Sequence, residues 1–146
     1  MSGERAVTPS PRVTLALVDD DPGHLELLRR IIRRAGLPCT LVMLHSGHDA
    51  LDYLAAGGRW AGRPPIGPTL MVLDVHMPGG PDGLEVLARI KADPAGQHIA
   101  VVLHTGADDL TEAVRGVALG CLGTLPKPAD HATIVATLTK ALALGE

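Results

Sequence analysis

Polar side chains follow four short apolar runs of the sequence, at the points where strands would end. In chain order they are Asp19, Asp20 and Asp21 after Thr14–Val18, Asp74 after Leu70–Leu73, Thr105 after Ile99–Leu103, and Lys127 after Gly123–Leu125. In a parallel sheet these four ends meet at one edge, which is where open α/β sheets bind ligands. Clustered carboxylates repel one another and need a cation in order to stay ionised together. The spacing therefore predicts a site for a hard metal ion and a phosphate group.

These side chains are suited to phosphoryl transfer. Mg²⁺ prefers oxygen ligands and keeps several waters, so one or two carboxylates and a phosphate oxygen suit it. Asp20 and Asp74 are the expected direct ligands, with Asp19 acting through water. The Asp74 carboxylate can also attack a phosphoryl group and form an acyl phosphate. Such transfer depends mainly on charge neutralisation, which Mg²⁺ and Lys127 would supply, and Thr105 can donate a hydrogen bond to the new phosphoryl group.

The bulk properties fit one small domain and disfavour several classes of protein. The chain has 146 residues, a formal net charge of −3 and 46% apolar residues, which is enough for a single domain with a sizeable core. The charge gives no basic footprint for nucleic acid, no signal-peptide pattern is present, and no apolar stretch reaches membrane-spanning length. We therefore expect a cytoplasmic protein that binds neither nucleic acid nor membranes, with residues 1–12 as a flexible tail.

The elements that would hold these residues alternate strand and helix five times. Thr40–Leu44 supplies the remaining strand, Pro22 and Gly36 mark the ends of the first helix, and Ser46 with Asp49 three residues on resembles a capping box. Later helices are predicted from Asp82 or Gly83, over Asp109–Leu119 and over Asp130–Leu144. Strands this apolar imply a parallel sheet covered on both faces, and right-handed crossovers restrict it to a doubly wound α/β topology.

Four motifs, taken together, resemble those of the receiver domain of two-component response regulators. They are Val18-Asp19-Asp20-Asp21-Pro22, Leu73-Asp74-Val75-His76-Met77-Pro78 with Asp82-Gly83-Leu84, Leu103-His104-Thr105-Gly106, and Leu125-Pro126-Lys127-Pro128. The similarity extends over roughly Val13 to Leu144, so residues 13–146 are expected to form one receiver domain. It implies a flavodoxin-like fold whose five parallel strands lie in the order 2-1-3-4-5.

The resemblance also implies roles for individual residues. Asp19 and Asp20 would form the acidic pair that holds Mg²⁺, and Asp74 would be both a metal ligand and the phosphoacceptor. Thr105 would be the switch hydroxyl, and Lys127 would pair with the phosphoryl group.

Two backbone features and two departures complete the comparison with the family. The main-chain carbonyl of His76 would be the third protein ligand to the metal, and the bond between Lys127 and Pro128 would be cis. Gly79–Pro81 lengthens the usual two-residue spacer by one residue, and Thr124 stands where other members have the aromatic residue that is coupled to the switch hydroxyl. The long loop after the second helix resembles single-domain regulators that are partnered with bacterial phytochromes.

The resemblance implies a signalling switch rather than an enzyme with an external substrate. A sensor histidine kinase, with a bacterial phytochrome as a candidate, would phosphorylate Asp74, and the chain would catalyse only its own phosphorylation and dephosphorylation. Because no output domain follows residue 144, we expect a stand-alone regulator that docks on a partner or relays the phosphoryl group to a histidine phosphotransfer protein.

Two other functions stay open at this point. Asp19-x-Asp21 after an apolar strand mimics the first motif of haloacid-dehalogenase-like phosphatases, but position 23 is Gly, where that family has Thr or Val, and no acidic pair follows Lys127. A pseudo-receiver would only bind partners, and the complete set of site residues argues against it. Steady turnover of an external phosphate ester would favour the phosphatase.

Other polar residues are assigned structural or surface positions. The His76 side chain is expected to face solvent rather than act as a base, and His104 to have a packed or capping role. Asp21 either caps the first helix or adds negative potential. The histidines without ligand spacing are predicted at the surface: His24, His45, His48, His98 and His131.

Three longer-range expectations concern a loop, the cysteines and self-association. Gly57–Thr69, which contains Trp60, is expected to be a solvated connector at the end of the sheet opposite the acidic residues. Cys39 and Cys121 would lie near opposite edges, too far apart for a disulfide. A symmetric homodimer is expected through the fourth helix, fifth strand and fifth helix. Glu at Leu138 or Leu142 should disrupt this dimer. Its interface would include apolar residues of the fifth helix, some of which would be exposed on a monomer: Ile134, Val135, Leu138, Ala141, Leu142 and Leu144.

Overall fold

The computed structural model describes residues 13–106 and 110–144, in which five strands alternate with five α-helices. The strands are β1 (Thr14–Val18), β2 (Thr40–Leu44), β3 (Thr69–Asp74), β4 (Ile99–Gly106) and β5 (Gly123–Lys127). The helices are α1 (Pro22–Ala35), α2 (Gly47–Ala55), α3 (Gly83–Ala92), α4 (Leu110–Ala118) and α5 (His131–Leu144). The predicted tail, residues 1–12, and the predicted helix start at Asp109 lie outside the described residues. No described helix is long and apolar enough to cross a bilayer.

The strands form one parallel sheet in the order β2-β1-β3-β4-β5, which confirms the predicted topology. Asp74 at the end of β3 pairs in register with His104 of β4. The register therefore brings the carboxyl ends of neighbouring strands to a common edge. Cys39 and Cys121 precede the two edge strands, β2 and β5, and both are free thiols, as expected.

Apolar side chains alternate between the two faces of the sheet and build two cores. In β3, Met71 and Leu73 pack with α2 and α3, whereas Leu70 and Val72 pack with α1 and α5. Every residue of β3 is buried, as expected for a central strand of a parallel sheet covered on both faces. The phosphoacceptor candidate Asp74 is therefore presented by a rigid, fully packed strand.

The helix starts follow the local signals in the sequence. The Asp21 side chain accepts hydrogen bonds from the backbone of Gly23 and His24, so it caps α1. Ser46 caps α2 by accepting from the Asp49 N–H at 2.9 Å. Helix α3 begins with the capping box of Asp82 and Glu85.

The Gly/Pro-rich loop after α2 is largely exposed and leads into the amino end of β3, as expected, but two of its side chains reach back to the first turn of α2. The loop contains a 3₁₀ turn, Gly58–Trp60. The Arg59 guanidinium donates to the Met43 carbonyl (2.8 Å) near the carboxyl end of β2 and to Asp49 in the first turn of α2. The Trp60 indole N–H donates to Asp49 at 2.9 Å. The Asp49 carboxylate, ten residues before Arg59, thus holds these two side chains against α2. Arg59 also covers part of the otherwise exposed edge of β2.

The fifth helix is more deeply packed than its sequence predicts. Ile134, Leu138, Ala141 and Leu142 are buried in the core shared with α1, and Leu144 is exposed. Glu at Leu138 or Leu142 would therefore place a charge in the core, so the prediction that these substitutions selectively disrupt a dimer is wrong. Large exposed apolar side chains lie instead on α4 and near β5: Val114, Val117 and Leu122.

Candidate functional site

The polar strand ends converge at the carboxyl edge of the sheet, as the spacing predicts. The carboxylates of Asp19, Asp20 and Asp74 each offer an oxygen, and these oxygens lie within 4.8 Å of one another. From the end of β5, the Lys127 ammonium reaches across the edge to Asp74 Oδ2 (3.2 Å) and Asp19 Oδ2 (3.3 Å). Three carboxylates thus face a single ammonium group in this cluster.

The three acids differ in burial, and two of them have shifted pKa values. Asp19 and Asp74 are 1% and 3% exposed, whereas Asp20 faces solvent. Burial, followed by the neighbouring Asp19 charge, raises the pKa of Asp74 above its ordinary value, and Lys127 offsets only part of this. Burial alone would raise the pKa of Asp19 as well. Hydrogen bonds from His24 and the Asp21 backbone, together with the Lys127 charge, outweigh burial and hold the pKa of Asp19 low.

The donor set fits a hard divalent cation. Clustered carboxylate oxygens are the ligands that Mg²⁺ and Mn²⁺ accept, and an exposed member such as Asp20 leaves room for the waters that Mg²⁺ retains. Lys127 stays firmly protonated, because the attraction of Asp74 and Asp19 raises its pKa despite partial burial. One ammonium leaves the cluster net negative, so a bound cation would relieve the repulsion between the acids.

Thr105 and His76 share a partner that the sequence reasoning missed. The Thr105 hydroxyl donates to Glu112 Oε1 at 2.7 Å, and the exposed His76 ring lies 2.9 Å from Glu112 Oε2. The His76 backbone N–H points toward Asp74 Oδ1 at 3.4 Å. Glu112 lies in the first turn of α4, and no local motif joins it to Thr105. Only the packing of α4 beside the end of β4 brings the two together.

His24 is not the surface residue that its sequence context predicts. It is half-buried in the first turn of α1, where its Nδ1 contacts Asp19 Oδ2. Its ring also stacks on that of His104, with centroids 5.0 Å apart. His104 is 2% exposed and is a packed residue, as predicted. Burial first, and then the nearby positive groups, lower the pKa of His104 to about 4.

The backbone around Asp74 and Lys127 also matches the motifs. A Cβ at Gly83 would lie 2.4 Å from the Asp74 carbonyl oxygen and 2.7 Å from Val75 Cα. Only glycine allows α3 to begin this close to the end of β3. The peptide bond between Lys127 and Pro128 is cis, as expected.

Comparison with known proteins is consistent with this geometry. The sequence model of the family described as the response regulator receiver domain matches residues 15–139. The transcriptional regulatory protein FixJ of Azorhizobium caulinodans is 35% identical over 126 residues, which cover 86% of this chain and 53% of FixJ. The chain thus spans about half the length of that relative.

Solved structures show the same fold over nearly the whole chain. The bacteriophytochrome response regulator AtBRR is 32% identical, with a TM-score of 0.76 over 92% of this chain and 94% of AtBRR. The Mn²⁺-bound form of response regulator Rcp1 is 26% identical, with a TM-score of 0.71 over 89% of this chain and 91% of Rcp1. The family match contains every site residue described above. The chain is therefore a member of the response regulator receiver domain family of two-component signalling, and bacteriophytochrome response regulators are among the proteins that it resembles in structure.

Proposed function

We propose that this receiver accepts a phosphoryl group on Asp74 from a sensor histidine kinase and then changes conformation to act on a partner. The metal ligands would be Asp19, Asp20, Asp74 and the backbone carbonyl of His76. The observation that carries the proposal is the buried Asp74 carboxylate, 3.2 Å from the Lys127 ammonium and clustered with two other acids. The Mn²⁺-bound form of Rcp1 supports a divalent cation here, and Mg²⁺ is the cation proposed for this chain.

In the proposed reaction Asp74 is the nucleophile. A carboxylate oxygen attacks the phosphorus of the kinase phosphohistidine, the phosphorus–nitrogen bond breaks, and its electron pair stays on the kinase imidazole. Lys127 at Oδ2 and the His76 backbone N–H near Oδ1 orient the carboxylate. Mg²⁺, when bound, would supply positive charge to the transferring oxygens, and phosphoryl transfer depends chiefly on such positioning and neutralisation. Hydrolysis of the acyl phosphate would return the receiver to its resting state.

Phosphate uptake with a small donor such as acetyl phosphate tests this function. We expect one phosphoryl group per chain, dependent on Mg²⁺, stable in acid and labile in base, with uptake abolished by EDTA and restored by Mg²⁺. Steady hydrolysis of external phosphate esters without a protein-bound phosphoryl group would favour the phosphatase alternative. No uptake in the presence of Mg²⁺ would favour the pseudo-receiver.

Glu112 is expected to restrain the switch in the unphosphorylated state. Its hydrogen bond holds the Thr105 hydroxyl, which must donate to a phosphoryl group after phosphorylation. A hydrogen bond to a charged group is worth about 1.5–3 kcal/mol, so Glu112→Ala should raise the affinity for beryllofluoride, a phosphoryl mimic, by at least about tenfold. Calorimetric titration measures this affinity. The same change in a Thr105→Ala background is the control and should have no such effect; an equal gain there would contradict the role.

We still propose a homodimer through α4, β5 and α5, but with exposed residues of α4 rather than the buried residues of α5 at the interface. Val114 and Val117 lie three residues apart on α4 and are 67% and 65% exposed. Residues at this spacing share a helix face, and exposed apolar patches mark interaction surfaces. We expect Val117→Glu to convert a homodimer to a monomer, as measured by light scattering. Leu27→Glu on α1, at a side chain that is 45% exposed, is the matched control and should stay dimeric. A monomeric wild type, phosphorylated or not, would overturn the proposal.

Several finer assignments remain proposals. The similarity in structure and sequence to AtBRR, a bacteriophytochrome response regulator, supports a bacterial phytochrome as the kinase. Stand-alone action is proposed as well; the chain covers 94% of AtBRR and 53% of FixJ. Docking on a target and relay to a histidine phosphotransfer protein are both compatible with an acyl phosphate on Asp74. A cytoplasmic location, catalysis limited to the chain's own phosphorylation and dephosphorylation, and a single receiver domain over 13–146 are proposed with it.

A further inference from the structure

We propose that Asp19, His24 and His104 form a second cation site, selective for borderline first-row metals such as Zn²⁺, whose occupancy competes with the Mg²⁺ site for Asp19. Each of the three residues offers one ligand atom, and these atoms lie within 4.8 Å of one another. One carboxylate with two imidazoles suits Zn²⁺, Co²⁺ or Ni²⁺, whereas Mg²⁺ prefers an all-oxygen set.

The ligands are already held in place by the fold. His24 Nδ1 contacts Asp19 Oδ2, and the two imidazole rings stack with centroids 5.0 Å apart. Asp19 Oδ1 accepts the Asp21 backbone N–H at 2.9 Å, which fixes the orientation of the carboxylate. His104 also hydrogen-bonds to the backbone of Pro126. Metal-bound histidines typically make such a second hydrogen bond, which orients the ring.

A cavity opens beside the two histidines of this cluster. A cavity of about 360 Å³ lies between α1 and α5 and is lined by His24, His104, Ile31, Lys127 and Ala129, among others. Of the described residues, none of the three acids of the Mg²⁺ cluster lines this cavity. The two histidines can therefore be approached from the side of α1 and α5, and Lys127 is the lining residue that this cavity shares with the phosphorylation site.

The two cations cannot use Asp19 independently. Lys127 lies 3.3 Å from Asp19 Oδ2 and 3.2 Å from Asp74 Oδ2. A cation at Oδ2 would repel the ammonium toward Asp74 and remove Asp19 from the Mg²⁺ ligand set. Zn²⁺ should therefore inhibit Mg²⁺-dependent phosphorylation. This consequence rests on the proposed function, whereas binding of the metal does not.

Titration of the metal-free full chain with Co²⁺, followed by its visible absorption, and with Zn²⁺ by calorimetry tests the site. We expect one equivalent to bind, and His24→Gln to weaken binding by at least about tenfold, since even residues behind the ligands contribute 10–100-fold. Because His104 is buried, the half-buried His24 carries the test. His98→Gln, at an exposed histidine preceding β4, is the matched control and should bind normally.

A second variant separates this site from the acidic cluster. Asp74→Asn should keep the Co²⁺ spectrum, because Asp74 is not in the proposed ligand set. Loss of the spectrum in Asp74→Asn, or equal binding by His24→Gln and wild type, would overturn the proposal. Failure of phosphorylation with metal binding intact would count against the proposed function alone.

Discussion

Replacing Asp74 with Asn is expected to abolish phosphoryl uptake. An amide cannot supply the carboxylate oxygen that forms the acyl phosphate, and removal of a nucleophile costs at least about 10³-fold in rate. Asp19 also lies beside Lys127, at 3.3 Å, but its carboxylate is held by His24 and by the Asp21 backbone N–H. Radiolabelled acetyl phosphate or a purified kinase measures the uptake.

A folding defect should not complicate this result. Burial and the Asp19 charge raise the pKa of Asp74 in the folded chain. A carboxyl group whose folded pKa is raised binds its proton more tightly than in the unfolded chain, so its ionisation at neutral pH destabilises the fold. Asp74→Asn should therefore be at least as stable as wild type near pH 7, as measured by thermal unfolding. Asp52→Asn, at an exposed position on α2, is the control and should take up phosphate normally. Uptake at the normal rate by Asp74→Asn would contradict the assignment.

Replacing Lys127 with Ala is expected to preserve metal binding and remove most of the switching. The ammonium would form a charge-assisted hydrogen bond with the phosphoryl group, worth about 1.5–3 kcal/mol. Metal affinity should rise, because a positive charge that now lies 3.2 Å from Asp74 and 3.3 Å from Asp19 has gone. Beryllofluoride-induced changes in amide NMR shifts report the switching, and Mn²⁺ titration reports the metal.

A matched lysine isolates the effect of position from that of charge. Lys140→Ala removes the same charge from the exposed face of α5 and should respond to beryllofluoride as wild type does. If Lys127→Ala showed the full wild-type shift changes, Lys127 would have no part in the switch.

Much of the fold and the acidic site could be predicted because their signals are local. Each strand is a short, mainly apolar run, and each site residue lies at or next to the carboxyl end of its strand, so parallel pairing brings Asp19, Asp74 and Lys127 together. The helix caps at Asp21 and Ser46 are equally local, since donor and acceptor lie two or three residues apart.

Contacts between elements that are distant in the sequence could not be predicted from such local signals. Glu112 meets Thr105 only because α4 packs beside β4, and His24 reaches Asp19 because α1 starts directly behind the strand end. The position of His24 in the sequence therefore does not indicate that it contacts Asp19. The hydrogen bonds from Arg59 and Trp60 to Asp49 likewise depend on tertiary packing.

The fifth helix shows a related limit. Its apolar residues spread around more than one face, which by pattern alone leaves part of them exposed. The structure buries Leu138 and Leu142 against α1 and the sheet. Hydrophobic periodicity does not reveal how deeply a helix lies between its neighbours.

The most direct test of the central claim is chemical mapping of the phosphorylated residue. Borohydride reduces an acyl phosphate to an alcohol, which converts the modified aspartate into a side chain that peptide mass spectrometry can locate. After phosphorylation with Mg²⁺, the account predicts reduction at Asp74 and none at Asp19 or Asp20. Reduction at either of the other two acids, or a phosphoryl group retained on a histidine, would contradict it.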